Sequence, residues 1–256
     1  MRNIVISLKD KSEDRRNFIK NEFSKAAVDF EFFDAVTPEQ FQSNDNTLSL
    51  TDHPFAIRPT EKACFLSHIA VWDIMINENL PYIAVFEDDI HLSADAGLYL
   101  SSYDWIPDDA GIVKLEKYND VNFRISGQRN VLNNRMLFRL GEANWGTAGY
   151  IIKKETAERL KASFANKKVL EAIDDELFLN HLNKAGEFYQ LEPALCIQDV
   201  IKNNRANFQF KSTVTPIKNA HKHKSLIKKV KKIIKFKKIK KAFKKIFFSN
   251  IVSTME

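Results

Sequence analysis

The 256-residue chain contains two runs of three adjacent acids, Glu87-Asp88-Asp89 and Asp174-Asp175-Glu176. Three neighbouring carboxylates repel one another unless something positive sits among them, and a divalent cation is the simplest partner for hard oxygen ligands. The first run follows the apolar stretch Tyr82-Ile83-Ala84-Val85-Phe86. That lead-in ties the acids to a rigid element and argues against the plain alternative, a solvated acidic turn. The second run precedes the apolar segment from Leu177 to Leu182, where acids are ordinary chemistry for a helix N-terminus.

Other residues could join such a site. Arg15 and Arg16 open a candidate helix, where an arginine can reach a base or a phosphate or simply form a surface ion pair. His68, beside Ser67, reads either as a hydrogen-bonded structural histidine or as a substrate or phosphate contact. Trp145 offers a flat face on which a sugar can stack, and Gly146 and Gly149 leave room for close approach to a ligand. A tight strand entry with a core tryptophan is the other reading of that segment. No glycine-rich loop ends in Lys-Ser/Thr, and no glycine fingerprint follows the first strand, so P-loop and dinucleotide chemistry are disfavoured. Two distant cysteines and six scattered histidines serve zinc poorly. Mg²⁺ or Mn²⁺ holding a diphosphate is what remains.

The elements that position these residues read as α/β. Tyr82 to Phe86, after Asn79-Leu80-Pro81, has the composition of a buried strand. Its acids then stand at the C-terminal edge, where open α/β sheets bind ligands. Asn3 to Leu8 reads as a strand, Ser12 as the N-cap of a helix carrying Phe18, Ile19 and Phe23, and Phe30 to Phe33 as a second strand. This is a βαβ unit, which implies parallel pairing. Residues 38–60 form a long loop, a lid or an ordered surface excursion. From Pro59 a helix buries Phe65, Ile69, Trp72 and Ile76. Strands follow at 111–115, 136–140 and 187–193, residues 117–135 read as irregular, and a helix covers 154–164.

The net charge of +6 averages two opposite regions. Residues 1–199 hold 22 Lys/Arg against 32 Asp/Glu, whereas residues 200–256 hold 17 against a single acid, Glu256. Thirteen lysines lie between His221 and Lys245, interleaved with Leu226, Val230, Ile233, Phe236, Ile239 and Phe243. This basic amphipathic extension suits an anionic membrane surface. Nucleic acid is the weaker partner, because the run lacks arginine and the acidic body repels a polyanion. The cysteines, Cys64 and Cys196, form no disulfide framework and suit a reducing compartment. The N-terminus is too short and too soon polar for a signal peptide, and no stretch has the length of a membrane span.

Taken together, several blocks resemble the bacterial lipooligosaccharide-biosynthesis glycosyltransferases of family 25. They are Ile6-Ser7-Leu8 with Arg15-Arg16, Phe32-Phe33-Asp34-Ala35-Val36, and Cys64-Phe65-Leu66-Ser67-His68 with Trp72. Tyr82 to Asp89, Gly146-Thr147-Ala148-Gly149-Tyr150, Asp174-Asp175-Glu176-Leu177, and Glu192-Pro193 with Gln198 complete the series. The resemblance covers Ile4 to about Asp199. It implies a glycosyltransferase-A-like fold with a mostly parallel mixed sheet flanked by helices and a catalytic domain over 1–210; the lysine-rich tail over 211–256 lies outside it and rests on composition alone. The implied reaction moves a hexose, most often galactose from UDP-galactose, with inversion onto a lipooligosaccharide or related, lipid-linked saccharide. UDP-glucose and UDP-N-acetylhexosamine donors are the close alternatives. A non-catalytic membrane- or polyanion-binding protein on a degenerate transferase body is the distant one. Asp89 is the implied direct ligand of Mn²⁺ or Mg²⁺, with Glu87 and Gln198 beside it and Asp88 or Glu87 toward ribose or a metal-bound water. Asp174 or Asp175 is the implied base, and Glu142 an outside candidate. Arg15, Arg16 and Asp34 would line the uridine pocket, with Ser67, His68 and Trp145 contacting acceptor or pyrophosphate. The expected location is cytoplasmic, peripheral to the inner face of the cytoplasmic membrane.

Overall fold

The structure, a computed structural model, describes residues 1–10, 12–40, 49–118, 124–203 and 209–210. The tail, with its reading as a membrane-facing segment and as a unit separate from 1–210, lies outside the described residues. The first βαβ unit forms as its pattern predicts: β1 (Asn3–Ser7), α1 (Glu13–Lys25) and β2 (Glu31–Asp34). β2 pairs parallel to β1, with Ser7 opposite Asp34. Glu13 and Asp14 in the first turn of α1 and Lys25 in its last complement the helix dipole. Ser12 occupies the N-cap position, but its hydroxyl makes no cap bond and turns back to the Leu8 carbonyl and the Ser7 hydroxyl.

α2 (Pro59–Asn77) begins with proline at its first position, where no N–H is needed, and the Glu61 carboxylate accepts the Arg58 backbone N–H at 3.0 Å. Phe65, Ile69, Trp72 and Met75 are fully buried, while Ile76 packs at the margin. Burying a side chain such as Phe65 contributes about 1.5–3 kcal/mol. After β3 (Tyr82–Glu87) come β4 (Ile90–Leu92), α3 (Ala96–Leu100), β5 (Ala110–Lys114), β6 (Arg124–Asn130), β7 (Met136–Leu140), β8 (Gly149–Lys153) and α4 (Lys154–Ala165). The short helix α5 (Ile173–Asp175) runs into a π-helical turn over Glu176–Asn180, and β9 (Glu187–Glu192), β10 (Cys196–Gln198) and α6 (Asp199–Lys202) follow.

The main sheet has the order β2-β1-β3-β8-β5-β9-β7-β6. β7 and β8 run against the other strands, so the sheet is mixed but mostly of one sense. Alternation along each strand sends neighbouring side chains to two cores. Val5, Phe86, Val113 and Ile151 meet α1 and α3 on one face. Ile4, Val85, Ile112 and Ile152 meet α2, α4 and the Ile173–Phe178 segment on the other.

β6 corrects the reading of 117–135 as wholly irregular. It lies at the sheet edge, antiparallel to β7, with a register shift between Arg124 and Gln128. An edge strand is held by backbone pairing on one side and needs little apolar alternation, which is why its sequence reads as a loop.

Candidate active site

The C-terminal edge of the parallel strands gathers the chemistry. β1 ends at Ser7, β3 at Glu87 and β5 at Lys114. Because β8 is antiparallel between β3 and β5, its entry segment Thr147-Ala148 arrives at that same edge. The Glu87 N–H donates to the Ala148 carbonyl at 3.0 Å. β10 pairs with β4, Gln198 opposite Ile90, and this swings Gln198 over the acids.

The three carboxylates after β3 are held differently. Asp88 is matched: Arg15 Nη1 donates to one oxygen at 2.5 Å and Ser7 Oγ to the other at 2.7 Å. Arg15 also lies 3.9 Å from Asp89. Glu87 accepts Thr147 Oγ1 at 3.2 Å and Gln198 Nε2 at 3.3 Å, and the same amide nitrogen lies 3.4 Å from Asp89 Oδ1. Burial, then Asp89 and Glu116, push the Glu87 carboxyl well above its ordinary range. Burial also raises Asp89, against the opposing pull of Arg15. Arg16 is engaged elsewhere: it pairs with Asp34, donates to the Ser7 carbonyl at 3.1 Å and covers the Phe32 ring. Arg16 holds the Asp34 carboxyl below the usual range.

On the other flank stands a buried pair that the sequence did not flag. Lys114 Nζ lies 3.6 Å from Glu116 Oε1, both side chains fully buried, and donates to the carbonyls of Asn144, at 2.8 Å, and Trp145. Burial pushes the Glu116 carboxyl up to about 7, with Lys114 pulling the other way. Gly146 has φ +93°, and a Cβ there would fall on the Glu116 carboxylate; a Cβ at Gly149 would fall on Cys196 Sγ. The room these glycines leave is therefore filled by the protein's own side chains, not left open for a ligand as their spacing suggested. Trp145, partly buried, donates its indole N–H to Asp175 Oδ1 at 2.7 Å. Asp174 accepts the Asp175 backbone N–H at 2.9 Å and is only partly buried. Its charge acts on Lys114 and Glu116, so the second acidic run faces the same edge as the first.

The remaining candidates sit deeper. Ser67 Oγ donates to the Ala63 carbonyl and accepts the Val36 N–H, fastening α2 to the segment after β2. His68 is fully buried, with Nδ1 2.9 Å from the Tyr150 hydroxyl, and burial lowers its pKa to about 3. Both side chains are thus held by hydrogen bonds to neighbouring elements. Glu142 is partly buried on the turn after β7. The signal that could have found Lys114 and Glu116 was a lysine at the end of an otherwise apolar buried strand, Gly111-Ile112-Val113-Lys114, with an acid two residues on.

The donor set tests well for a hard divalent cation. Two carboxylates pushed toward their neutral forms by burial and by neighbouring acids, and bridged by one amide nitrogen, are groups whose ionised state a cation would stabilise. Glu87 and Asp89 would hold it. Gln198 now donates, and its carboxamide would have to turn over to ligate.

The profile of glycosyltransferase family 25 (LPS biosynthesis protein) matches residues 1–178. The chain is 38% identical over 214 residues to the lacto-N-neotetraose biosynthesis glycosyltransferase LgtE of Neisseria gonorrhoeae, covering 78% of this chain and 75% of that one. It is 34% identical over 214 residues to the lipooligosaccharide biosynthesis protein lic2B of Haemophilus influenzae, covering 77% and 76%. Among solved structures, a glycosyltransferase involved in glycosylation of the PBCV-1 major capsid aligns over 77% of this chain and 92% of its own, at TM-score 0.45 and 8% identity.

Proposed function

The chain belongs to glycosyltransferase family 25, and from that membership we propose that it transfers galactose from UDP-galactose, with inversion, to a saccharide of a lipooligosaccharide. The observation that carries this reading is the meeting of both acidic runs at one sheet edge, the first with its charge unbalanced and the second with its carboxylates fixed.

Glu87 and Asp89, with Gln198 beside them, are the residues that would hold Mn²⁺ or Mg²⁺. The bound ion supplies charge neutralisation for the UDP leaving group. Arg15 braces this loop through Asp88, and Arg16 with Asp34 lines the side toward the uridine. Inversion in one displacement needs a base on the face opposite the leaving group. Asp174 and Asp175 share that task unequally: Asp175 is buried and fixed by the Trp145 indole, and Asp174 reaches further toward solvent. The indole also presents its ring to the acceptor sugar. The lysine-rich segment 221–248 would hold the enzyme at the inner face of the cytoplasmic membrane, close to a lipid-linked acceptor. Among the described residues no helix is long and apolar enough to cross a membrane.

The test is UDP release from a panel of UDP-sugars with Mn²⁺, with and without galactoside, glucoside and N-acetylglucosaminide acceptors and with an EDTA control. Acceptor-stimulated release from UDP-galactose, abolished by EDTA, is the expected result. Release from UDP-glucose alone would correct the donor, and absence of both release and UDP binding would overturn the reading.

A further inference from the structure

We propose that Cys64, His68 and Glu87 form a second cation site, specific for zinc, beside the donor-side carboxylates and sharing Glu87 with them. Cys64 and His68 are four residues apart on α2, so both side chains project from one face of the helix, and Glu87 closes the group from the end of β3. One ligand atom from each residue lies within 4.8 Å of the other two. Zinc bonds of about 2.0–2.3 Å in a tetrahedral set place ligand atoms about 3.3–3.8 Å apart, so a small closure completes the arrangement. Sulfur and imidazole select a softer ion than the oxygen-rich set around Asp89 does.

His68 supplies the independent observation. Its ring is fully buried, Nδ1 is engaged by Tyr150, and Nε2 has no hydrogen-bond partner. A buried polar atom left unpaired costs stability, and a metal bond would satisfy it. Trp72 Nε1 donates to the same Tyr150 oxygen at 2.9 Å, so the ring is braced from behind as metal-binding imidazoles are. Burial keeps that imidazole neutral, the form that ligates. The Cys64 thiol is held protonated by burial and by the neighbouring acids, and it would release its proton to solvent as the S–Zn bond forms. Cys64 and Glu87 are each only partly buried as residues, and three protein ligands with water in the fourth position is the usual arrangement of an open zinc site. Zinc held there draws Glu87 away from Thr147 and Gln198, and so antagonises Mn²⁺-supported turnover. Zinc binding does not depend on the transferase reading; only the antagonism rests on it.

The metal-free full-length protein is titrated with Co²⁺, and the thiolate-to-cobalt absorption band is followed alongside zinc affinity measured by chelator competition. One equivalent and a clear band are expected for the wild type. Cys64→Ser should lose the band and weaken zinc binding by at least about ten- to a hundredfold, the cost of disturbing even an outer partner. It should keep its Mn²⁺-supported UDP release and become insensitive to zinc, which inhibits the wild type. Absence of the band in the wild type, or equal zinc affinity in Cys64→Ser, overturns the site. A band without zinc inhibition overturns the antagonism, and absence of both turnover and UDP binding in both proteins overturns the transferase reading while the titration still decides the site. Should Cys64→Ser fail to fold, alkylation of wild-type Cys64 decides instead: zinc should protect the thiol, and unchanged alkylation overturns the site.

Discussion

Glu87-Asp88-Asp89, at the end of β3, and Asp174-Asp175-Glu176, at the start of a helix, contain the same three acids in opposite order. In the first run only Asp88 is fully matched, by Arg15 and Ser7, and its two neighbours are pushed up by burial and by other carboxylates. In the second, burial works against Glu176, but Lys167, His181 at 3.4 Å and the Glu171 N–H at 2.8 Å outweigh it and lower its pKa to about 2. Asp175 is fixed by an indole N–H. The difference lies in the elements around each run, not in its composition. The first run keeps buried carboxylates that other acids press toward the neutral form, whereas the second has donors that fix Asp175 and hold the Glu176 carboxyl low. On the proposed reading, the first run would serve the leaving group and the second would supply the base.

The sharpest way to break the contrast is Asp89→Asn, which should abolish turnover and weaken UDP binding in Mn²⁺, read by UDP release and calorimetry. Retained activity would remove Asp89 from the metal role. Asp175→Asn keeps an acceptor for the Trp145 indole but loses the charge. It should spare UDP-sugar binding and lower transfer by about 10²–10⁴-fold, the usual worth of a general base. Normal transfer in Asp175→Asn and its loss in Asp174→Asn would give the role to the neighbour.

Lys114→Met tests the buried pair that carries Trp145. It leaves Glu116 without its cation and should cost about 3–5 kcal/mol in urea unfolding. Lys114→Met with Glu116→Gln should recover much of that, because no unpaired charge remains; no recovery would place the cost in packing instead. The smallest expected effect belongs to Glu176→Gln. The folded pKa of Glu176 lies below its ordinary 4.5, so its contribution is complete above that value and disappears as pH falls through about 2. Glu176→Gln should therefore be less stable than the wild type at neutral pH by about 2–3 kcal/mol, with the gap closing in acid. A gap that stays constant with pH would mean that shape, not charge, is what Glu176 supplies.

Much of this was legible in the residues. The apolar lead into Glu87, the first βαβ unit and the buried stripe of α2 follow from local periodicity, since a side chain's face is set by its position within a strand or helix. The resemblance of separate blocks then identified the family. Other features carried no local signal. The β6 strand is held by pairing with β7, and Ser12 gives up its capping bond for partners nearer β1. Gly146 and Gly149 read as ligand room because the side chains that fill it, Glu116 and Cys196, lie far away in sequence.

The sequence by itself determined the class of fold, the family, and which strand end carries the first acids. Only the tertiary structure decided that β8 runs backwards between β3 and β5, bringing Thr147 and Ala148 to Glu87. It alone decided that Gln198 bridges two carboxylates from more than a hundred residues away, and that Cys64, His68 and Glu87 meet. The reason is physical. Periodicity records which face of an element is buried, whereas the neighbour across that face is chosen by the packing and backbone pairing of the whole sheet.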